Sequence, residues 1–188
     1  MNLVHAPLPN RTAEVLEFWF KDHGPTDWFA KNPDLDAQIR DRFGALHAAA
    51  NRGDLDDWAE TAKGALALVV ILDQFSRNLH RASALAFAND ARALKIAKSA
   101  IAKGFDQSLS EPQRVFLYLP FEHSEDARDQ ELSVKYFASF ADKLYVESAK
   151  QHKAIIDRFG RYPHRNAALG RASTPDEIAF LATPGSSF

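Results

Sequence analysis

The sequence contains no cysteine, which excludes disulfide bridges, thiolate metal sites and cysteine nucleophiles. It also lacks a long apolar run. The longest one, residues 65–72, is far shorter than the roughly 20 residues that a membrane-spanning helix needs. Residues 1–11 hold two prolines and no apolar stretch of the kind found in signal peptides. We therefore expect a soluble, cytoplasmic protein without a membrane partner.

Neither sign of charge dominates, because 23 lysine and arginine residues face 25 aspartate and glutamate residues. The resulting net charge of −2 argues against a nucleic-acid partner bound through bulk positive charge, and against an acidic disordered chain. With 46% hydrophobic and 26% charged residues, the composition is that of an ordinary globular protein.

Helical periodicity extends along nearly the whole chain, and no alternating apolar pattern or Asn-Gly turn predicts a β-hairpin. Capping signals set several boundaries, because Asn32 precedes Pro33, and Ser110 and Thr174 each begin a capping box. The predicted helices cover residues 12–22, 33–53, 55–79, 84–103, 110–120, 125–142, 144–159 and 175–182.

These segments predict one all-α domain over residues 1–188, with an extended segment at 1–11 and a basic loop at 160–173. Residues 125–142 and 144–159 form either two helices or one bent helix, because no glycine or proline separates them. We predict a stack of about eight helices in antiparallel pairs. It is tetratricopeptide-like, without a strict 34-residue consensus.

Polar side chains stand on apolar faces of several predicted helices. In the third helix, which is apolar on both sides, Asp73 and Arg77 continue one apolar stripe four residues apart. Asp90, Gln130 and His152 lie on the apolar stripes of later helices. A buried charge costs several kcal/mol unless it is paired and hydrogen-bonded. Four helices with such positions therefore predict a shared polar centre.

Three interpretations of this centre stay open. It is a structural ion-pair network, Asp73–Arg77 with Asp90–Arg81, or a ligand pocket made by the same residues. In the third interpretation, the helical angles misjudge burial and these residues are exposed.

Two loops carry opposite charge. Residues 120–131 hold five acids and one base. Within this segment, Ser124 is expected to cap the following helix, and Asp126 is expected to project along the apolar stripe of that helix. Residues 158–171 hold four arginines and no acid. Arginine is the usual fork for carboxylate or phosphate groups, so the basic loop either docks onto acids of the same domain or forms an anion site.

Known catalytic motifs are absent, including the phosphate-binding and dinucleotide-binding glycine loops, the zinc-protease motif and the nucleophile elbow. Ser124 beside His123 is therefore a weak nucleophile candidate. His123, Glu125 and His152 would supply three metal ligands only if the fold brought His152 close to the loop. The sequence predicts no cofactor and no metal.

Three segments together resemble one protein family. They are residues 72–81 (LDQFSRNLHR) followed by 86–90 (AFAND), residues 118–125 (YLPFEHSE), and residues 159–166 (FGRYPHRN). The chain resembles the family catalogued as domain of unknown function 924, with Ser76 where the family often has proline and Ala82 where it often has glycine. The resemblance implies a helical fold of the tetratricopeptide-like superfamily and supplies no function.

The favoured hypothesis is a binding module whose polar centre holds a small anionic or zwitterionic ligand, or a peptide terminus. The candidate ligand-binding residues are Asp73, Gln74, Arg77, Asn78, Asp90, His123, Ser124, Glu125, His152, Arg158, Arg161, His164, Arg165 and Asn166.

Two alternatives belong to other classes. The first is a hydrolase or lyase in which His123 or His152 is the general base and Asp73 or Glu125 orients it. The second is a helical-repeat scaffold that binds a partner protein, which an exposed groove with aromatic residues such as Trp28 or Tyr162 would favour. The sequence leaves the oligomeric state open.

Overall fold

The computed structural model describes residues 10–186, and these residues form helices and turns without a strand. The all-α prediction is therefore confirmed for this part of the chain. Most of the predicted extended segment, residues 1–9, lies outside the described residues. The α-helices are α1 (Thr12–Glu17), α2 (Pro25–Trp28), α3 (Pro33–Arg52), α4 (Ala62–Val69), α5 (Ser76–Leu79), α6 (Asp90–Ala102), α7 (Glu111–Glu122), α8 (Ala127–Phe137), α9 (Lys143–Phe159) and α10 (Pro175–Leu181).

Two π-helical segments and four short 3₁₀ turns complete the architecture. The π-helical segments are Phe18–Asp22, which continues α1, and Val70–Phe75, which joins α4 to α5. The 3₁₀ turns are Asp56–Glu60, Ala84–Ala86, Phe105–Ser108 and Pro163–Arg165. No helix between residues 10 and 186 has the length and apolar character to cross a membrane.

The continuous rod from α4 through the π-helical segment to α5 forms the centre of the fold. Every residue from 64 to 76 is buried, because α3, α6 and α7 all pack against this rod. The prediction of burial on both sides is therefore confirmed. Gly64 is required at the start of the rod, since a Cβ there would collide with the carbonyl oxygen of Trp58.

Side-chain caps explain where several helices begin. Asn32 accepts hydrogen bonds from the backbone N–H groups of Asp34 and Leu35, with Pro33 as the first residue of α3. Thr174 and Glu177 form the predicted capping box of α10. These signals are local in sequence, which is why they fix these boundaries without tertiary information.

Several predicted boundaries are wrong by a few residues. The third helix begins at Ala62 and not at residue 55, because the 3₁₀ turn Asp56–Glu60 precedes it and Thr61 caps it. The helix α7 continues past Pro120 to Glu122. A proline removes only one backbone hydrogen bond there, close to the helix end.

Two further boundaries differ for similar local reasons. The fourth predicted helix begins at Asp90, since the 3₁₀ turn Ala84–Ala86 lies before it. Residues 125–159 form two helices, α8 and α9. Asp126 caps α8 through the backbone N–H groups of Arg128 and Asp129, whereas Ser124 donates to the Asp129 carboxylate. Asp126 is exposed, so its predicted place on the apolar stripe is wrong.

A small second apolar cluster attaches the C-terminal part of the chain to α9. Ile155, Ile156 and Tyr162 are buried together, with Phe159 and Phe180 packed against them. This cluster holds the basic loop on the body of the domain, and so it determines where the arginines of that loop can point.

Candidate functional site

Asp73 lies in the π-helical segment and is fully buried. Its Oδ1 accepts hydrogen bonds from His123 Nδ1 at 2.7 Å and Arg77 Nη1 at 3.1 Å, and its Oδ2 accepts one from Gln74 Nε2 at 2.5 Å. Burial by itself would raise the pKa of Asp73, but the charge of Arg77 and the contacts with His123 outweigh it. The carboxyl group is therefore held ionised, with its pKa well below the usual range.

Arg77 joins Asp73 to a second carboxylate. Its guanidinium donates to Asp90 in a two-point fork, with Nη1–Oδ1 at 2.9 Å and Nη2–Oδ2 at 3.1 Å, and Nη1 also donates to the Asp73 carbonyl at 2.8 Å. Burial opposes the charge on Arg77, yet Asp73 and Asp90 raise its pKa above the ordinary value.

Arg165 reaches the same carboxylate from the basic loop. Its Nη1 donates to Asp90 Oδ2 at 3.1 Å, and its guanidinium carbon lies 4.6 Å from the ring centroids of both Phe87 and Tyr162. The side chain is only 8% exposed, and its Nε is a buried donor without a hydrogen-bond acceptor among residues 10–186. Burial, together with repulsion from Arg77, lowers the pKa of Arg165.

We call Asp73, Arg77, Asp90, His123 and Arg165 the ionic centre. Each member contacts the next within 3.1 Å, in the order His123, Asp73, Arg77, Asp90, Arg165. The centre therefore contains two acids, two arginines and one histidine, drawn from four separate parts of the chain.

His123 forms one end of the ionic centre. Burial and the nearby charge of Arg77 lower its pKa, although Asp73 acts in the opposite direction. The side chain keeps 14% exposure. Its Nε2 makes no hydrogen bond to any residue from 10 to 186, so the second nitrogen is available to another molecule.

His164 lies beside the ionic centre on the basic loop. Burial, followed by the charges of Arg165, His152, His123 and Arg77, lowers its pKa to about 4. His164 is therefore a neutral imidazole near pH 7, in a region where two guanidinium groups are already present.

His152 belongs to a neighbouring arrangement and not to the ionic centre. Its Nδ1 lies 2.9 Å from both the Glu122 carboxylate and the Ser148 carbonyl, and the Ser148 hydroxyl donates to the same carboxylate at 2.7 Å. The Tyr162 ring is 5.7 Å from the His152 ring, so Tyr162 contacts both His152 and Arg165.

Several other predicted site residues form ion pairs or hydrogen bonds within the domain, away from the ionic centre. Arg161 forms a two-point fork with Glu177, which Asn166 also contacts at 3.3 Å. Asn78 donates to Asp36 at 2.8 Å. These side chains fasten α10 and the end of α5 to the rest of the domain.

Two more predicted site residues, Glu125 and Arg158, also lie outside the ionic centre. Glu125 accepts a fork from Arg171 and a hydrogen bond from the backbone N–H of Tyr162 at 2.8 Å. Arg158 lies over the rings of Phe159 and Phe180, outside the ionic centre. The basic loop thus docks onto acids of its own domain, and Arg165 differs from Arg161 and Arg171 in donating only one hydrogen bond to its acid, Asp90.

The predicted pair Asp90–Arg81 is wrong. Arg81 donates two hydrogen bonds to the Asp36 carboxylate, at 2.6 and 2.8 Å. Asp90 accepts hydrogen bonds from Arg77 and Arg165 instead. Arg81 follows the end of α5 and reaches α3, whereas Asp90 opens α6 next to Arg77.

The three histidine and glutamate residues considered as metal ligands do not converge. His123, Glu125 and His152 each contact a different partner, namely Asp73, Arg171 and Glu122. Among residues 10–186 no group of three or more histidine, aspartate or glutamate side chains could hold a metal ion.

Phe87 and Tyr162 are neighbours of the ionic centre that sequence reasoning missed. Their rings cover the guanidinium of Arg165, and Phe87 also lies 5.7 Å from that of Arg77. The sequence signal for this contact is Tyr162, three positions before Arg165. It was not used because the prediction rested on helical angles, which do not apply inside a loop.

Two open clefts lie away from the ionic centre. One, of about 410 Å³, is lined by the end of α9, the basic loop and α10, including Arg158 and Asp176. The other, of about 840 Å³, is lined by Phe20, Trp28 and Tyr145 among others. Trp28 thus lines an open cleft, whereas Tyr162, the other aromatic residue considered for a partner groove, is buried.

A protein family described as "Bacterial protein of unknown function (DUF924)" matches residues 15–185. The chain belongs to this family. The solved structure of a protein of unknown function from Agrobacterium tumefaciens is 43% identical to this DUF924 chain, with a TM-score of 0.87. The match covers 91% of this chain and 96% of that chain. No curated protein matches. The resemblance inferred from three sequence segments is thus confirmed.

Proposed function

We propose that this DUF924 protein binds a small anionic ligand at the ionic centre, through a phosphate or carboxylate group. The observation that carries the proposal is the state of Arg165. A guanidinium has five N–H donors, and Arg165 gives only one hydrogen bond to residues 10–186 although its side chain is almost completely buried. An unsatisfied buried donor is costly, so a ligand that accepts these hydrogen bonds stabilises the site.

Other arginines of the basic loop provide a direct contrast. Arg161 and Arg171 each form a two-point fork with a glutamate and donate a further hydrogen bond to a backbone carbonyl. Arg165 shares a single carboxylate, that of Asp90, with Arg77. It is therefore the arginine of this loop that combines deep burial with spare donors.

The surroundings of Arg165 also suit anion recognition. The rings of Phe87 and Tyr162 lie over the guanidinium, which leaves its N–H groups to point along the plane of the group. The ion pairs of Asp73 with Arg77, and of Arg77 with Asp90, hold the neighbouring groups in place. Such a fixed arrangement lowers the entropic cost of binding.

Isothermal titration calorimetry with inorganic phosphate, and separately with acetate, tests the proposal. We expect one saturable site for at least one of these anions, and at least a tenfold loss of affinity in Arg165→Gln. Arg158→Gln is the matched control, because Arg158 lies at the end of α9, just before the loop, and stacks on the rings of Phe159 and Phe180 outside the ionic centre. Equal affinity in wild type and Arg165→Gln, or no binding of either anion, contradicts the proposal.

A further inference from the structure

We propose that the ionic centre hydrolyses a phosphate monoester held at Arg165, with His123, oriented by Asp73, as the general base. This inference rests on the anion site proposed above. It assigns to the ionic centre a reaction, a substrate class and a base.

The hydrogen bond between His123 and Asp73 determines which imidazole nitrogen can act as the base. An ionised carboxylate only accepts hydrogen bonds, so the 2.7 Å contact requires that Nδ1 carries the proton. The lone pair is then on Nε2, which has no hydrogen-bond partner among residues 10–186. A carboxylate behind a histidine orients general bases in this way in hydrolytic enzymes of several folds.

Asp73 is held rigidly for this task. It lies fully buried in the π-helical segment, and Gln74 and Arg77 donate hydrogen bonds to its carboxylate beside the one from His123. Short π-helical segments inside α-helices frequently mark functional sites, because the wider turn redirects side chains. Here the segment brings Asp73 beneath His123 while Arg77, one turn later, faces Asp90.

His123 suits this role better than His152. The Nδ1 of His152 is shared between the Glu122 carboxylate and the Ser148 carbonyl, and its side chain is 7% exposed against 14% for His123. His123 is also the one that connects to Arg165 through the contacts of the ionic centre.

The chemistry balances with water as the only co-reactant. The Nε2 of His123 takes a proton from a water molecule as the water oxygen bonds to phosphorus. The bond from phosphorus to the ester oxygen breaks on the side opposite to the attacking water. The departing oxygen takes a proton from solvent water, and Nε2 returns its proton to solvent. The products are an alcohol and inorganic phosphate, and His123 returns to its neutral form.

A phosphate monoester fits this centre because it carries more than one charged oxygen. One oxygen can accept from Arg165 while another faces Arg77, whose side chain is 21% exposed. A ligand carboxylate, by contrast, is fully bound by the two parallel hydrogen bonds of a single arginine, and so would not use both guanidinium groups. Two guanidinium groups would also stabilise the charge on the phosphoryl oxygens in the transition state.

The test measures p-nitrophenyl phosphate hydrolysis by the full chain, through release of p-nitrophenolate. His123→Gln is expected to lower kcat at least 100-fold, which is the usual contribution of a general base. Its affinity for inorganic phosphate is expected to stay within about threefold of wild type, since Arg165 is intact. His80→Gln, in a half-buried histidine outside the ionic centre, is expected to leave kcat unchanged.

Asp73 is a positioning residue and needs a different readout. Asp73→Asn is expected to lower kcat and to move the acidic limb of the pH–rate profile, because the His123 imidazole loses the charge behind it. Thermal unfolding of each variant identifies any that fails to fold. His123→Gln, at a partly exposed position, keeps the test decisive if Asp73→Asn does not fold.

The outcomes separate this inference from the proposed function. If wild type does not bind phosphate, the anion site proposed above is wrong for this ligand and the hydrolysis proposal falls with it. If phosphate binds but wild type does not hydrolyse the ester, or His123→Gln hydrolyses it at the wild-type rate, only the hydrolysis proposal is overturned.

Discussion

At the scale of single residues, Asp73 is a charged group without any exposed surface. It is fully buried and ionised, and Arg77, His123 and Gln74 compensate the lost hydration. Helical angles on the sequence predicted this burial correctly, because the apolar stripes on both sides of the rod leave no exposed face.

Replacing Asp73 therefore has a large effect on stability. Asp73→Ala is expected to lower the free energy of unfolding by about 3–5 kcal/mol, because it leaves Arg77 partly uncompensated. Urea denaturation measures this loss. Asp41→Ala, at an exposed position in α3, is the control and should change stability by less than about 0.5 kcal/mol. A similarly small loss for Asp73→Ala would contradict the account of a buried, paired carboxylate.

The neutral histidines predict how stability depends on pH. The pKa values of His47 and His164 are lowered by burial to about 4, below the 6.5 of an unfolded histidine. The unfolded chain therefore binds more protons between these pH values, so stability falls as the pH drops from 6.5 to 4. Asp73, whose pKa is lowered, loses its contribution only below about pH 4.

Thermal unfolding at intervals from pH 7 to 4 measures this slope. In the double variant His47→Gln, His164→Gln the slope over this range is expected to be clearly smaller than in wild type. An unchanged slope would show that folding does not lower the pKa values of these two imidazoles.

At the scale of elements, the loop from residue 160 to 173 depends on a few anchors. Arg171 forks onto Glu125 and donates to the Tyr162 carbonyl, and Glu125 accepts from the Tyr162 backbone N–H. These contacts hold Tyr162, and with it the ring that covers Arg165. The loop is therefore a positioned element, with its geometry set by pairs that lie outside the ionic centre.

Loosening this anchor should weaken anion binding without unfolding the domain. Arg171→Gln is expected to lower phosphate affinity several-fold and to speed amide hydrogen exchange in residues 160–173. Calorimetry and exchange mass spectrometry measure the two effects. Arg128→Gln, an exposed position in α8, is the matched control. If affinity and exchange stay at wild-type values in Arg171→Gln, the loop does not depend on this pair.

Local signals explain which elements were predictable. Caps such as Asn32 and Thr174 act within three residues, so the starts of α3 and α10 follow from the sequence. The π-helical segment Val70–Phe75 does not, because its apolar pattern is indistinguishable from that of an α-helix buried on every side. The pairing of Arg81 with Asp36 was missed for another reason, since it depends on how α3 packs beside α5.

At the scale of the whole molecule, the small net charge of −2 arises partly by internal cancellation. The basic loop is paired with acids of the same domain, as one sequence interpretation expected, through Arg161–Glu177, Arg165–Asp90 and Arg171–Glu125. The tetratricopeptide-like description stays a prediction, as does the absence of a nucleic-acid partner. The candidate site was predictable as a set of polar residues. Which of these residues form the ionic centre, and which form structural pairs, depends on the tertiary structure and does not follow from the sequence.

The central claim is that the spare donors of Arg165 receive an anion, and the arginine Nε–H resonances test it most directly. In a ¹H–¹⁵N spectrum titrated with phosphate, the Arg165 signal, assigned by its loss in Arg165→Lys, is predicted to shift and saturate. The signals of Arg161 and Arg171 should stay in place, because their Nε groups already donate to Glu177 and Asn166. An Arg165 signal that does not move, or that moves no more than these two, would contradict the account.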